Sequence, residues 1–289
     1  MDIPTLTAFL TVAECNSFSL AAEKLHLTQP AISKRIASLE SQLDTQLFDR
    51  TGRQINLNEA GRVLLPKARQ MLELMKDTRQ EISNLKTQVK GPLAMATSHH
   101  IGLRRLPNIL REYSRLYPEV KLDIHFVDSE VAYEMLSRGE IELGIITLSP
   151  ENPDRFQSRL IWDDPLIFMA AKDHPLSKLK KVTTQQLSEH QAILPGSNTF
   201  TYRLVRKLFE KEGLSLQTAM SSNYLETIRM LTAIGLAWTI LPKSMLGDDL
   251  VELKSDCETP SRKLGYILHK ERTLSNAAQA FLELLKDEC

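Results

Sequence analysis

Residues 18–40 constrain this chain more than any other stretch, because they read as a short helix, a tight turn and a second helix with complementary apolar faces. Leu20, Ala21 and Leu25 share one face of the first helix, and Ile32, Ile36 and Leu39 recur at the helical spacings of four and three on the second. Thr28 is placed to N-cap the second helix. Pro30 falls in its first turn, where a missing N–H breaks no helical bond. Opposite the apolar stripe stand Gln29, Ser33, Lys34 and Ser38, with Arg35 on the flank: amides and hydroxyls suited to base edges, cations suited to phosphates. The layout is that of a DNA-reading helix-turn-helix, and the plainer alternative is a simple αα-hairpin.

The next residues favour the first reading. From Leu47 to Asn58 the chain reads as a short strand, a glycine turn carrying Arg50 and Arg53, and a returning strand, which is a basic wing beside the reading helix. The stretches FLTVAECNSFSLAAEKLHLTQPAISKRIASLESQLDTQLFDRTGR and LNEAGRVLLPKARQML match the pattern of the LysR-type bacterial transcriptional regulators almost position for position. The chain resembles that family.

At 289 residues the chain is long for one core and predicts two units. Basic and acidic residues balance at 36 each, so positive charge for nucleic acid must be local. Over residues 28–69 it is: Lys34, Arg35, Arg50, Arg53, Arg62, Lys67 and Arg69 outnumber Glu40, Asp44, Asp49 and Glu59. Cys15, Cys257 and Cys289 have neither metal-like nor disulfide-like spacing, which is the usage of reduced thiols in a cytosol. No stretch free of Asp, Glu, Lys and Arg exceeds 13 residues, and the start lacks a basic-then-apolar leader. No membrane partner and a cytoplasmic location are expected.

Residues 3–15 form an amphipathic first helix through Leu6, Phe9, Leu10 and Ala13, with Phe9 and Phe18 as core residues. From Asn58, a plausible N-cap, to Val89 the pattern is helical. Leu64, Ala68, Met71, Met75, Thr78, Ile82, Leu85 and Val89 make a heptad seam that predicts a partner helix, and Pro66 should bend it. The resemblance implies a second subunit as that partner, and pairing of dimers into a homotetramer. Lys90-Gly91-Pro92 should end the helix and serve as a hinge. Beyond it, short β-like runs (93–97, 120–127, 141–147, 165–171, 217–221, 236–241, 263–268) alternate with helical ones (100–116, 130–138, near 184, 202–211, 225–234, 274–286), which argues an α/β unit with a mostly parallel sheet in two similar halves. LPNILREYSRLYPEVKLDI, LSRGEIELGII, AKDHPLS and IGLAWTILP resemble the LysR-type effector domain, a relative of periplasmic solute-binding folds. The expected fold class combines α+β and α/β: a winged helix-turn-helix over 1–58, a linker and dimerisation helix over 59–89, and a bilobed effector domain of periplasmic-binding-protein type over 92–289. Lobe I takes 92–161 and 265–289, since the family's last strand returns to it, and lobe II takes 162–264.

Ligands of open α/β sheets bind beyond the carboxyl ends of strands, where helices begin. Thr97-Ser98-His99-His100-Ile101 is one such corner, attractive to an anion through free N–H groups, the helix dipole and two hydroxyls. Pro195-Gly196-Ser197-Asn198-Thr199 is a second, again just before a helix. Thr147 ends a strand, and Asn223 precedes a helix. In the resembled family the matching positions line the effector cleft. The alternative for Ser98 and Thr199 is helix capping alone. A metal at His99-His100 lacks partners at ligand spacing, and no cofactor is expected. Family members often carry arginine where this chain has Phe200, which favours an effector with an apolar or aromatic part over a doubly charged one.

Catalysis finds no support: Gly-x-Ser-x-Gly, a phosphate loop and His-Glu-x-x-His are all lacking. A transport-type binding protein needs export, and an architectural DNA binder needs no cleft. The sequence therefore points to a ligand-controlled transcription factor. Its partners are double-stranded DNA, an anionic small-molecule effector, further copies of itself and RNA polymerase.

Overall fold

The computed structural model describes residues 1–51, 54–151, 153–257 and 259–286, with the side chains of 50, 51 and 54 left aside. Arg53 and Cys289 therefore lie outside the described residues, and Arg50 is described only as backbone. The chain forms two compact units, 1–86 and 87–289.

In the first unit α1 (Ile3–Cys15), α2 (Phe18–Lys24) and α3 (Gln29–Gln42) precede a hairpin of β1 (Phe48–Thr51) and β2 (Gln54–Leu57), antiparallel and paired Thr51 to Gln54. Asp2 and Ser17 cap α1 and α2 by accepting from Thr5 and Leu20 N–H. The core gathers Phe9, Phe18, Ala21, Ala22, Ile32, Ile36, Leu39 and Phe48, with both Phe9 and Phe18 in ring contact with Phe48. Leu20 is not part of it. That side chain is 54% exposed, because Phe18, Ala21, Ala22 and Leu25 trace the inward stripe and Leu20 lies beside it. Thr28 holds the N-cap position of α3 but makes no side-chain cap bond.

Asn58 caps α4 (Glu59–Asn84) by accepting from Gly61 N–H. A Cβ at Gly61 would stand 2.2 Å from the Leu47 carbonyl oxygen, so only glycine lets the helix start so close to the hairpin. The helix runs on through Pro66 but stops before Val89: Thr87 turns to φ +50, and Val89 packs into the second unit instead. Gly91 opens a strand instead of capping a helix. Leu64 and Ala68 are absorbed by the first unit's core, whereas Met71, Met75, Ile82 (61% exposed) and Leu85 (80%) remain uncovered.

The second unit has two lobes joined by two long antiparallel strands. Lobe I carries β3 (Gly91–Thr97), α5 (His99–Arg104), α6 (Pro107–Leu116), β4 (Val120–Phe126), α7 (Ser129–Arg138) and β5 (Leu143–Thr147). The single helix expected over 100–116 is two, because Pro107 starts a new one. β6 (Phe156–Ala171) then runs from one lobe into the other, starting before the strand expected over 165–171. Lobe II adds α8 (Thr184–Ser188), β7 (Ala192–Leu194), α9 (Phe200–Lys211), β8 (Thr218–Ser221), α10 (Leu225–Ala233), β9 (Thr239–Pro242) and β10 (Leu250–Glu252). The last strand, β11 (Ser261–His269), returns beside β6, and α11 (Asn276–Lys286) follows.

Among the described residues one sheet takes the order β10-β6-β11-β5-β3-β4, with β9 also on β6. Among the described strands β3–β4, β3–β5 and the separate β7–β8 pair are parallel, while the pairs made by β6 and β11 are antiparallel, so the expected mostly parallel sheet is mixed. Where β11 shifts register, a Cβ at Gly265 would stand 2.0 Å from the Arg159 carbonyl oxygen, and glycine makes the crossing possible. Lobe I is cored by Leu93, Met95, Tyr113, Ile145, Tyr266 and Phe281, and lobe II by Phe168, Leu194, Val205, Phe209, Trp238 and Ile240.

Candidate functional site

The first candidate site is the outer face of α3. Burial of Ile32, Ile36 and Leu39 fixes the helix's rotation, leaving Gln29, Pro30, Lys34 and Ser38 exposed and Ser33 and Arg35 half-buried. Gln29 Nε2 donates to Ser33 Oγ at 3.0 Å, which aligns the two side chains on one turn of the helix. Glu40 accepts from Leu47 N–H at 2.8 Å and ties α3 to the hairpin. An amide and a hydroxyl held together this way can present paired donor and acceptor groups to a base edge.

The second is the cleft between the lobes. Its inner part has a volume of about 50 Å³, which is room for water-sized occupants. An outer chamber of about 540 Å³ shares His99, Asp128 and Asn223 with it. Ser98, His99, His100, Thr147, Thr199, Phe200 and Asn223 line the inner cleft and Gly196 the outer chamber. Four other expected residues do not line either part. Thr97 is fully buried and Ile101 belongs to the lobe I core, since a helix begins at His99 and turns Ile101 inward. Ser197 and Asn198 are exposed, and the Asn198 carbonyl accepts from Arg203.

The two corners differ. Ser98 sits at the α5 N-cap position but makes no cap bond. Thr199 caps α9, accepting from Tyr202 N–H at 3.2 Å and donating to the Gly196 carbonyl at 2.8 Å. The Phe200 N–H, at the start of α9, donates to the Glu130 carboxylate. Asp128, also from the start of α7, accepts from the Asn223 amide at 2.5 Å. The Phe200 ring is buried against Tyr133, 5.8 Å between centroids, within a lobe I cluster. These contacts close the lobes on each other, and the chain's own Glu130 carboxylate takes the first N–H of α9.

Charge in the cleft is net acidic. Burial pushes the Glu130 carboxyl above its usual range. Arg262 is buried and donates from Nε and Nη2 to Asp164 Oδ2 on the neighbouring strand, so its charge is compensated. Burial, aided by Arg262, lowers His100 to about 4 and leaves it neutral at physiological pH. Its Nδ1 is buried without a hydrogen-bond partner. Sequence reasoning missed Asp128, Glu130 and Arg262. The strand-end rule applied to β4 points at Asp128 and Glu130, whereas no local signal brings in Arg262 from the returning strand.

Among the described residues no helix is long and apolar enough to cross a membrane. Residues 3–62 match the model of the bacterial regulatory helix-turn-helix protein, lysR family, and residues 86–289 that of the LysR substrate binding domain. An uncharacterized HTH-type transcriptional regulator of Azotobacter vinelandii is 60% identical over 107 residues, 37% of this chain and 74% of that protein. The HTH-type transcriptional activator CmpR of Synechocystis sp. is 29% identical over 282 residues, 96% of this chain and 92% of its own length. Among solved structures, full-length CbnR in complex with its target DNA shares the fold with a TM-score of 0.63 at 23% identity over 100% of both chains. With a helix-turn-helix and a β-hairpin in one unit, a cleft in the other and both family models matched, this chain belongs to the LysR family of DNA-binding transcriptional regulators.

Proposed function

We propose that the chain binds a two-fold symmetric promoter site as a dimer or tetramer and changes its setting on DNA when a small molecule enters the cleft between the lobes. The observation that carries this reading is the outward face of α3, where Gln29 and Ser33 are pre-aligned above a fully buried Ile32–Ile36–Leu39 stripe. Gln29 and Ser33 read bases, while Thr28 and Pro30 set the helix start and Lys34, Arg35, Arg50 and Arg53 hold phosphates. The uncovered Met71, Met75, Ile82 and Leu85 stripe on α4 pairs with its copy in a second subunit. RNA polymerase is a further partner of the promoter-bound form.

Selection of binding sites from random duplexes by the full chain tests the DNA half. Gln29→Ala and Ser33→Ala should change the preferred sequence. Lys34→Ala should weaken all sequences alike and reduce the salt slope by about one. Unchanged preference in both reading-helix variants refutes the assignment. Met71→Glu with Ile82→Glu should halve the mass in solution. For the cleft half, a metabolite extract is tested for its effect on the promoter footprint, and a response that persists when Gly196→Trp fills the chamber sinks that half.

A further inference from the structure

The charge in the cleft specifies an effector class different from the anion expected from sequence. Asp128 and Glu130 face the cleft, and each has one oxygen bound across it by a neutral donor: Asp128 Oδ2 by the Asn223 amide, Glu130 Oε1 by the Phe200 N–H. Among the described residues no side chain donates to the second oxygen of either. Arg203 attracts Glu130 only from the exterior, its guanidinium lying 4.8 Å over the Phe200 ring and donating to the Asn198 carbonyl. Arg262 is committed to Asp164. An entering anion would meet two carboxylates and no uncommitted cation, which a low-dielectric site penalises heavily.

A cation meets the reverse situation. An ammonium group has three N–H donors and no acceptor. The cleft offers it the carboxylates of Asp128 and Glu130, and His100, a side chain 4% exposed whose buried Nδ1 has no hydrogen-bond partner, lines the same space. Neutral imidazole with its proton on Nε2 presents Nδ1 as an acceptor. The outer chamber continues the match. Phe126 and Tyr224 flank it with exposed rings, His99 lies between them at 5.5 and 4.5 Å between centroids, and Asp128 stands on the shared wall. Aromatic faces beside a carboxylate hold organic cations by ring quadrupole as well as by charge.

We infer that the effector is an organic ammonium ion with an apolar body, its N–H groups directed at Asp128, Glu130 and His100 and its body between Phe126 and Tyr224. This rests on the cleft being the effector site. Both tryptophans, Trp162 and Trp238, lie in the second unit, so tryptophan fluorescence during thermal unfolding of the full chain reports that unit alone. The probes are 2-phenylethylammonium, 2-phenylethanol and 3-phenylpropionate, one ring and chain bearing positive, zero and negative charge.

The amine should raise the midpoint with concentration, the alcohol less, and the carboxylate not at all. Asp128→Asn and Glu130→Gln keep shape and an acceptor oxygen for the cross-cleft donor, and each should weaken amine binding by about tenfold or more. The inference is overturned by a carboxylate that shifts the midpoint more than the amine, by amine binding unchanged in Glu130→Gln, or by silence from all three probes. A carboxylate shift abolished by Tyr224→Ala would overturn the cation and keep the cleft. An amine shift that survives Phe126→Ala with Tyr224→Ala would place the amine elsewhere and overturn the cleft reading as well.

Discussion

Ser98 and His99 open α5 in one lobe, and Thr199 and Phe200 open α9 in the other; in each a hydroxyl residue holds the N-cap position and an aromatic ring follows. Each ring also reaches the opposite lobe, His99 to Tyr224 and Phe200 to Tyr133. The α9 corner is nevertheless committed to the protein's own structure, its hydroxyl to a cap and its first N–H to Glu130, while the Ser98 hydroxyl is uncommitted to a cap. Two stretches that look interchangeable in sequence therefore do different work, one as a fastening between lobes and one as a surface a ligand can meet. The difference is imposed by what the opposite lobe brings to each, which no local pattern encodes.

The largest effect expected from that contrast is at the rings. Phe200→Ala removes a buried aromatic from the Tyr133 cluster and should cost about 3 kcal/mol of the second unit's stability, measured by tryptophan-detected urea unfolding. His99→Ala removes a half-buried ring at the chamber wall and should cost under about 1 kcal/mol. Equal losses would mean that both corners fasten the lobes.

Titration should separate the corners next, with opposite signs. His100 is lowered from 6.5 to about 4 by burial, so between those values the unfolded chain binds the proton more readily. Stability present above pH 6.5 is lost as pH falls toward 4, by up to roughly 3 kcal/mol. Glu130 is raised by burial, so its contribution is fully present below the ordinary carboxyl value of 4.5 and is lost as pH rises through its folded value. His100→Gln should flatten the acid limb of the midpoint-versus-pH curve, and Glu130→Gln should raise the midpoint at neutral pH. An acid limb unchanged in His100→Gln would assign it to other groups.

What was legible in the sequence follows the range of the contacts involved. Ile32, Ile36 and Leu39 declare their face through spacings within one helix, and the strands of the hairpin declare themselves through the short β-like runs on either side of a glycine in the sequence. α4 ends earlier than its heptad spacing suggests, because Val89 continues the heptad by spacing alone while the chain has already turned at Thr87 and Val89 serves the other unit's core. The strand-end rule points to the two corners at the starts of α5 and α9, whereas the charges that meet there come from elsewhere in the chain. Arg262 finds Asp164 only because β11 returns antiparallel to β6, 98 residues away, and the Glu130 contact to Phe200 spans 70. Charge complementarity assembled at that range has no sequence signature.

The smallest effects give the sharpest test of the two corners, because the substitutions are chemically almost the same. Thr199→Ala deletes a hydroxyl that accepts from Tyr202 N–H and donates to the Gly196 carbonyl, and should cost about 1 kcal/mol of stability, a typical cap loss. Ser98→Ala deletes a hydroxyl that makes no cap bond and should move stability by only a few tenths of a kcal/mol. Ligand affinity should invert the ranking. Removing the Ser98 hydroxyl from the cleft lining should weaken 2-phenylethylammonium binding by about 1–3 kcal/mol, and Ser98→Thr, which keeps the hydroxyl, should weaken it less. Thr199→Ala should leave that affinity nearly unchanged once its lower midpoint is allowed for. If Ser98→Ala instead unfolds the second unit as readily as Thr199→Ala does, the α5 corner is a fastening like its counterpart, and the distinction between the two fails.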